Sequence, residues 1–246
     1  MIVSDRLSKR YGSVQAVRSL SLTVDAGEIY GFLGPNGAGK TTTIKMLTGL
    51  LRPTEGSARV GGFDLESQPV QAKRLIGFVP DNPFLYEKLT GREYLRLTGD
   101  LWGVDGEGRE ERIAALLEEF ELTEKADSII QSYSRGMRQK TALAAALLHS
   151  PKALFLDEPT VGLDPKGARL LKDTLLKLAD AGAAVFISTH ILEIAEQLCD
   201  RVGIVRDGEL IAEGEPRELL TNSNNASLEE LFLELTESAM ALELAE

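Results

Sequence analysis

The sequence of 246 residues contains a single cysteine and no long apolar run. Because Cys199 has no second cysteine to pair with, an intrachain disulfide and a cysteine-based zinc site are both excluded, and the role of a small buried apolar residue is expected. No apolar stretch reaches the roughly 18–20 residues that a membrane-spanning helix needs. The first residues, 1–5, lack the charged and apolar regions of a signal peptide. We therefore predict a soluble, intracellular protein that reaches a membrane only through another polypeptide.

Positive charge is also scarce, since 27 Lys and Arg are outnumbered by 38 Asp and Glu, which gives a net charge of −11. This balance disfavours a general nucleic-acid-binding protein, because phosphate backbones are held by an excess of basic side chains. The deficit is uneven: residues 213–246 carry nine glutamates and one arginine, a net −8, and residues 1–212 carry only −3. The body of the chain is therefore nearly balanced and leaves room for a small cationic pocket.

Strand-like and helix-like patterns alternate along much of the chain and indicate an α/β fold. Strands are predicted at 28–33, 75–79, 153–156 and 183–188, and helices at 41–50 and 165–179. From Thr90 to about His149 the pattern is helical instead, because apolar residues recur there at spacings of three and four. These residues are Ile113, Leu116, Leu117, Phe120, Leu143, Leu147 and Leu148. The prediction is an α/β nucleus interrupted by a helical insertion.

A phosphate-binding loop is predicted at residues 34–41, which match G-x-x-x-x-G-K-[ST] between a predicted strand and a predicted helix. Glycines let backbone N–H groups turn toward a β-phosphate, and the helix N-terminus adds partial positive charge. Lys40 is expected to neutralise β- and γ-phosphate oxygens, and the Thr41 hydroxyl to ligate Mg²⁺. The predicted ATP-binding residues of this segment are Gly34, Pro35, Asn36, Gly37, Ala38, Gly39, Lys40, Thr41 and Thr42.

Two adjacent carboxylates follow a later apolar strand, in the segment Leu154–Glu158. Ligands of parallel α/β sheets bind at the carboxyl ends of the strands, which is where these side chains would lie. Asp157 suits a Mg²⁺ role, directly or through a water molecule. Glu158 is predicted to polarise the water that attacks the γ-phosphate.

The segment Ser132–Gln139 precedes a helix rich in Ala and Leu, about twenty residues before the carboxylate pair. With this segment the chain resembles the nucleotide-binding subunits of ATP-binding-cassette (ABC) transporters, from about residue 2 to residue 235. The family's usual Leu-Ser-Gly-Gly-Gln corresponds here to Tyr133-Ser134-Arg135-Gly136-Met137. The resemblance implies that the Ser134 hydroxyl and the Gly136 N–H bind the γ-phosphate held by a facing protomer, with Arg135 and Met137 completing the segment.

The resemblance also implies the architecture. It indicates a P-loop NTPase (RecA-like) core with an antiparallel β subdomain and a helical insertion. The predicted domains are an ABC ATPase domain at 1–222, with its helical subdomain at about 88–150, and an acidic helical extension at 223–246.

Several single residues gain a role from the same resemblance. Tyr11 corresponds to the aromatic residue that stacks on adenine, and His190 to the histidine that contacts the γ-phosphate, whereas His149 is expected to be structural or superficial. The loop through which the two sites sense each other includes Gly162, Leu163 and Asp164.

Two positions depart from the family pattern. Asp81 replaces the usual Gln, so it could ligate Mg²⁺ but adds a negative charge beside the triphosphate. Val161 replaces the more usual Ser in the inter-site loop. The sequence around Arg135 and Met137 resembles that of the ATPases of ABC-2-type exporters.

The resemblance implies an ATP- and Mg²⁺-dependent motor subunit, located in the cytoplasm and peripheral on the inner face of the cell membrane. It would act as a homodimer or heterodimer on separate transmembrane permease subunits, without nucleic acid. The helical insertion and the segment after Asp81, with Phe84, Leu85 and Tyr86, are the expected permease contact. The alternative is that these residues pack in the insertion's own core, which is expected of Leu85, whereas an exposed Phe84 or Tyr86 would favour docking. One alternative is a weakly hydrolysing subunit that regulates a partner through ATP-driven dimerisation. A soluble ABC ATPase of DNA repair or translation is disfavoured, because such proteins carry tandem cassettes or long coiled-coil insertions.

A C-terminal helix is predicted after residues 222–226, with its apolar side chains near one face. A terminal helix packed on the core and a helix that contacts a dimer partner are both compatible with this pattern. The apolar residues are Leu228, Leu231, Phe232, Leu235 and Leu242.

Overall fold

The computed structural model of the protein describes residues 1–104, 106–223 and 225–243. Within these ranges ten strands form two sheets: β1 (Ile2–Tyr11), β2 (Val14–Val24), β3 (Ile29–Leu33), β4 (Glu55–Val60), β5 (Phe63–Asp64), β6 (Ile76–Val79), β7 (Ala153–Asp157), β8 (Ala184–Thr189), β9 (Arg201–Arg206) and β10 (Glu209–Gly214). The helices in the same ranges are α1 (Lys40–Leu47), α2 (Pro69–Lys73), α3 (Gly91–Trp102), α4 (Glu107–Glu119), α5 (Arg135–Leu147), α6 (Pro165–Asp180), α7 (Leu192–Leu198), α8 (Pro216–Ser223) and α9 (Leu228–Glu243).

The central sheet has six strands in the order β10-β9-β3-β8-β7-β6. All its pairings are parallel except that of β10 with β9. Strands β3 and β7 are buried along their whole length, as expected of parallel strands covered on both faces. Because β3, β8 and β7 are neighbours, their carboxyl ends meet at one edge of the sheet, where ligands of such sheets bind.

A second, antiparallel sheet has the order β2-β1-β4-β5. Its apolar face shares one buried cluster with aromatic side chains of the central sheet, among them Tyr30, Phe32 and Phe186. The centre of the Phe186 ring lies 5.6 Å from the centre of the Tyr30 ring and 5.4 Å from that of the Phe32 ring. The predicted α/β fold with an antiparallel subdomain is confirmed, and this aromatic cluster joins its two sheets.

The helical insertion leaves the central sheet after β6 and returns to it at β7. The seven apolar residues that predicted its helices are all buried, which confirms the spacing argument. At its start, Thr90 accepts a hydrogen bond from the backbone N–H of Glu93, whose carboxylate accepts one from the Thr90 N–H. Helix α3 ends at Trp102, and the Gly103 that follows it has a positive φ of 68°, which suits glycine.

The predicted strands agree with the observed ones to within one residue at each end. The helix predicted at 41–50 is wrong at its C-terminal end, because α1 stops at Leu47. Gly49 has a φ of 67°, and the N–H groups of Leu50 and Leu51 both donate to the Lys45 carbonyl. This left-handed glycine reverses the chain and ends the helix three residues early.

Cys199 is buried, as predicted for a small apolar residue, and it packs against the backbone of β3. A Cβ atom on Gly31 would lie 2.8 Å from the Cys199 Sγ atom, so the thiol fills the space that a larger residue at position 31 would need. Burial raises the pKa of the Cys199 thiol to about 12. The thiol is therefore a packing group and stays protonated at neutral pH.

The C-terminal helix α9 packs on the core, as one of the two predicted arrangements required. Leu228 and Leu231 belong to a second buried cluster, distinct from the aromatic one, which contains side chains of the central sheet and of the helical insertion. Phe232 and Leu235 pack against this second cluster. The Arg206 guanidinium donates a hydrogen bond of 2.8 Å to the Leu235 carbonyl. The side chain of Leu242 lies outside the described residues.

Within the described ranges, the helices lack the combination of length and apolarity that crossing a bilayer requires.

Replacing Leu231 by alanine is expected to lower the free energy of unfolding by about 2–5 kcal/mol, because a buried leucine loses its apolar contacts and leaves a cavity. Leu233, on the same helix, is 44% exposed, so Leu233→Ala is expected to cost much less. Chemical denaturation of both variants measures the difference. Equal losses of stability would show that α9 does not pack through Leu231.

Candidate functional site

The predicted phosphate loop connects β3 to α1 at the carboxyl edge of the central sheet. Its glycines Gly37 and Gly39 have φ values of 87° and 97°, a left-handed conformation that glycine adopts without steric cost. A Cβ atom on Gly39 would lie 2.4 Å from the Ala16 carbonyl oxygen, so a side chain there would collide with the antiparallel sheet. The loop therefore needs glycine at position 39 for two independent reasons.

Lys40, the first residue of α1, points into this loop and is only 7% exposed. Its ammonium donates hydrogen bonds to the carbonyls of Gly34 at 2.6 Å and Pro35 at 3.2 Å, and it lies 3.9 Å from Glu158 Oε1. Burial lowers the pKa of Lys40, and the negative charges of Glu158 and Asp157 oppose that shift. A buried cation beside inward-turned glycines is an arrangement suited to phosphate.

Thr41 and Asp157 meet where a metal ion beside the phosphates would be held. The Thr41 hydroxyl donates a 2.9 Å hydrogen bond to Asp157 Oδ2, and Asp157 is only 4% exposed. Burial raises the pKa of Asp157, and the hydrogen bond from Thr41 counters that rise. Both groups offer the hard oxygen atoms that Mg²⁺ prefers, and Mg²⁺ is ordinarily held by one or two carboxylates together with phosphates and water. The donor set fits Mg²⁺.

The described residues contain no group of three His, Cys, Asp or Glu side chains arranged to hold a metal. A cation at this place would therefore need oxygens from the nucleotide. Asp81, the third predicted ligand, lines the same cavity of about 280 Å³. The cavity is bounded by Ala16, Pro35, Asn36, Gly37, Gly39, Lys40, Thr41, Thr42, Asp81, Asp157 and Glu158.

Glu158 follows β7 directly and has a φ of 49°, an uncommon value for a residue with a side chain. Its Oε2 atom accepts hydrogen bonds from the Thr189 hydroxyl at 3.1 Å and the His190 N–H at 3.3 Å, and lies 2.9 Å from His190 Nδ1. Its other oxygen faces Lys40. The end of β8 thus holds the carboxylate, and this brings the two predicted catalytic residues, Glu158 and His190, into contact.

The segment Ser134–Met137 forms the start of α5, where the Ser134 hydroxyl accepts a 3.2 Å hydrogen bond from the Met137 N–H. Together with the predicted inter-site loop it borders a second cavity, of about 460 Å³. That cavity is lined by Glu121, Leu122, Ser134, Arg135, Gly136, Met137, Lys140, Gly162, Leu163 and Asp164. It shares no lining residue with the cavity at Lys40. Within one chain the two predicted phosphate-binding surfaces are therefore separate.

Three predicted nucleotide residues do not line the cavity at Lys40. Tyr11 is 48% exposed, with the Lys9 ammonium 5.4 Å from its ring centre. Gly34 supports the loop from below, since a Cβ atom there would lie 2.5 Å from the Val205 carbonyl oxygen. Ala38 is buried, and its carbonyl accepts a hydrogen bond from Gly208.

A family model described as ABC transporter matches residues 17–161, the part of the chain that contains the phosphate loop, the start of α5 and the Asp157–Glu158 pair. The chain belongs to the ABC transporter family. The linearmycin resistance ATP-binding protein LnrL of Bacillus subtilis is 39% identical over 89% of this chain and 70% of its own length. The daunorubicin/doxorubicin resistance ATP-binding protein DrrA of Streptomyces peucetius is 44% identical over 89% of this chain and 66% of its own.

Solved structures agree with this assignment to the ABC family. A structure described as the ATP binding subunit of an ABC transporter has a TM-score of 0.90 and 35% identity, and covers 96% of this chain and 99% of its own. A dimeric bacterial ABC transporter cassette, MJ0796, has a TM-score of 0.81 and 28% identity over 87% of this chain and 98% of its own. This ABC chain is an ATPase subunit that binds nucleotide.

Two contributions to the ABC site were missed from the sequence. Ala16 of β2 lines the nucleotide cavity, and Thr189 anchors the Glu158 carboxylate. Neither residue lies in a recognisable motif, although Thr189 precedes the predicted His190 and could have been considered for that reason.

Proposed function

We propose that this chain is the ATP-hydrolysing motor subunit of a membrane exporter, that it works as a head-to-tail dimer, and that it drives separate transmembrane subunits. The observation that carries the proposal is the separation of the Lys40 cavity from the Ser134 cavity in one chain. Because the two cavities of one chain share no lining residue, we infer that ATP bound at Lys40 contacts Ser134 and Gly136 of a second protomer. The nucleotide then lies between the two subunits.

The residues of each half-site would divide the chemistry. Lys40 and the loop N–H groups bind the β- and γ-phosphates, and Thr41 with Asp157 would hold Mg²⁺, with Asp81 beside them. A bound Mg²⁺ ion neutralises phosphate charge and orients the oxygens. Glu158 orients the attacking water and accepts its proton, and His190 holds Glu158 in place and faces the γ-phosphate end. The Ser134 hydroxyl and the Gly136 N–H complete the partner's site.

The export direction is supported by the names of similar proteins, which describe resistance and export functions. Besides LnrL and DrrA, the Nod factor export ATP-binding protein I of Burkholderia lata is 40% identical over 92% of this chain and 74% of its own length. These three relatives are matched over 66–74% of their own length. We infer an exporter, located at the inner face of the membrane through its permease.

A groove between β6 and the helical insertion is the proposed contact for the permease. It has a volume of about 380 Å³ and is lined in part by Phe84, Tyr94, Trp102 and His149. Leu85 is only 5% exposed, in agreement with its expected place in the core, whereas Phe84 is 88% exposed, which favours docking. Exposed aromatic residues at the rim of an apolar groove are typical of a protein interface.

His149 forms part of the floor of this groove. Its ring stacks on Trp102 with ring centres 4.0 Å apart, and its Nε2 atom lies 3.0 Å from the Ile76 carbonyl oxygen. Burial lowers the pKa of His149, and its backbone hydrogen bond opposes that shift. The predicted structural role of His149 agrees with these contacts.

Co-purification from native membranes tests the transport function. The wild-type chain is expected to recover a multi-spanning partner, and Phe84→Asp is expected to lose most of it, because a charge cannot be buried in an apolar contact without a large cost. Leu176→Asp is the matched control, since Leu176 is exposed on α6 at 41%. Recovery of soluble partners alone would contradict the exporter proposal.

A second candidate function is supported by Asp81, whose negative charge contributes to the raised pKa of Asp157. A carboxylate in place of the usual Gln could weaken hydrolysis and leave a subunit that regulates a partner through ATP-driven dimerisation. Turnover by the purified chain distinguishes the two functions: a motor subunit hydrolyses ATP steadily, whereas a regulatory subunit dimerises with ATP and hydrolyses little of it.

A further inference from the structure

Arg135 stands where the family usually has glycine, and its side chain crosses over the inter-site loop. A Cβ atom on Gly162 would lie 2.6 Å from Arg135 Cδ and 2.8 Å from its Cγ. The aliphatic part of Arg135 thus occupies the space that any side chain at position 162 would need. The φ of 86° at Gly162 favours glycine independently. The backbones are also close, since a Cβ atom on Gly136 would lie 3.2 Å from the Gly162 carbonyl oxygen.

The charged end of the same side chain points toward the other cavity. Arg135 Nη2 lies 3.9 Å from Asp81 Oδ1, and Asp81 lines the cavity at Lys40 and Asp157. The two side chains are 63% and 53% exposed, so the ion pair is weak and can open readily. Arg135 therefore contacts one residue of each cavity, Asp81 on the nucleotide side and Gly162 on the side offered to the partner.

Charge explains why Asp81 attracts this arginine. Asp81, Asp157 and Glu158 bring three carboxylates to one cavity, and among the described residues that line it Lys40 is the one cation. The guanidinium of Arg135 supplies a second positive charge at the edge of that group. A divalent cation bound near Asp157 would offset the same negative charge and would compete with Arg135 for Asp81.

We propose that Arg135 is a positioning residue that connects the metal side of a nucleotide site to the phosphate-binding face of the same protomer. Before Mg²⁺ binds, Arg135 pairs with Asp81 and its stem covers Gly162. When Asp81 turns toward the metal, Arg135 is released, and the start of α5 and the inter-site loop become free to adjust to the partner. This inference rests on the proposed two-sided site.

The test is a double-mutant cycle on the Mg²⁺ dependence of nucleotide binding, measured with a fluorescent ATP analogue on dilute protein. Arg135→Gln is expected to lower the Mg²⁺ concentration at half-maximal nucleotide binding about two- to fivefold. This factor corresponds to the interaction energy of a partly exposed ion pair. In an Asp81→Asn background the same substitution is expected to have no effect, because Mg²⁺ and Arg135 no longer compete for one carboxylate. Arg138→Gln is the matched control, since Arg138 pairs with Glu87 instead.

Each result has a defined meaning. If Arg135→Gln shifts the Mg²⁺ dependence equally in both backgrounds, or if Arg138→Gln shifts it as much, the effect comes from the change of net charge and not from the Arg135–Asp81 contact. Either result would overturn the proposal. Failure of the wild-type chain to bind nucleotide at any Mg²⁺ concentration would refute the proposed function, and this inference with it. Normal nucleotide binding with no coupling between the two positions would refute this inference alone.

Hydrogen exchange provides a second measurement that does not depend on Mg²⁺. Amides of residues 160–164 are expected to exchange about two- to fivefold faster in Arg135→Ala than in the wild type without nucleotide, because removing the stem uncovers Gly162. Arg138→Ala, the matched control, is expected to leave exchange in that segment unchanged. Unchanged exchange in Arg135→Ala would show that the stem does not restrain the loop.

Discussion

Replacing Glu158 by glutamine is expected to slow ATP turnover by about 10²–10⁴-fold, the usual loss when a general base is removed, while nucleotide binding persists. Glutamine has the same size, and its carbonyl oxygen can still accept hydrogen bonds from Thr189 and from the His190 N–H. It lacks the negative charge that faces Lys40 at 3.9 Å and cannot accept a proton from water. The chemical step is therefore lost while the binding surface remains.

Steady-state release of phosphate and equilibrium binding of ATP, measured on the same preparation, check this expectation. Glu193→Gln is the matched control, because Glu193 is an exposed carboxylate three residues after His190 and contacts Gln197 instead of the site. Turnover by Glu158→Gln at the wild-type rate would reject Glu158 as the base. A loss of both binding and turnover would indicate a structural role at the end of β7.

Replacing Lys40 by alanine is expected to weaken ATP binding by about 10²–10³-fold. Breaking a buried charge pair costs about 3–5 kcal/mol, and about 1.4 kcal/mol corresponds to a factor of ten in affinity. Without the ammonium, a triphosphate in this cavity would meet the carboxylates of Asp157 and Glu158 without the cationic side chain that offsets their charge. The variant should therefore fail at binding, before any chemical step.

Titration calorimetry with ATP and Mg²⁺ measures this loss directly. Lys45→Ala is the matched control, because Lys45 is an exposed lysine on the same helix and does not line the cavity. An ATP affinity in Lys40→Ala within a few-fold of the wild type would contradict the assignment of residues 34–41 as the phosphate loop. Thermal melting of both variants verifies that the fold survives.

The two substitutions separate binding from hydrolysis, since Glu158→Gln retains nucleotide and Lys40→Ala loses it. The same two variants also test the proposed ATP-dependent dimer. ATP should hold Glu158→Gln in a persistent dimer, because the nucleotide that joins the protomers is not consumed. Lys40→Ala should remain monomeric under the same conditions, which sedimentation measures.

Much of the central sheet was predictable because its strands are short apolar runs bounded by turn residues. The strand after residue 27 and the strand before Asp157 were predicted to within one residue, since each is buried over its whole length. Helix α1 was predicted too long, because the glycine that ends it resembles any other glycine until its φ is known. Helix α8 had no predicted counterpart, since Pro216–Ser223 is short and mostly polar.

The phosphate loop could be recognised from sequence because its chemistry is local: glycines, a lysine and a threonine within eight consecutive residues must surround one anion. The residue types needed for binding and hydrolysis, and the family itself, follow from such short segments. The order and spacing of these short segments along the chain indicate the family.

The contacts that join distant segments could not be derived in this way. Thr189 reaches Glu158 across 31 positions of sequence, and Arg135 reaches both Asp81 and Gly162 from a helix that neither residue belongs to. These contacts exist because neighbouring strands end at one edge of the sheet and because the insertion folds back over it. Distances between such side chains depend on the packing of whole elements, which no single segment of sequence specifies.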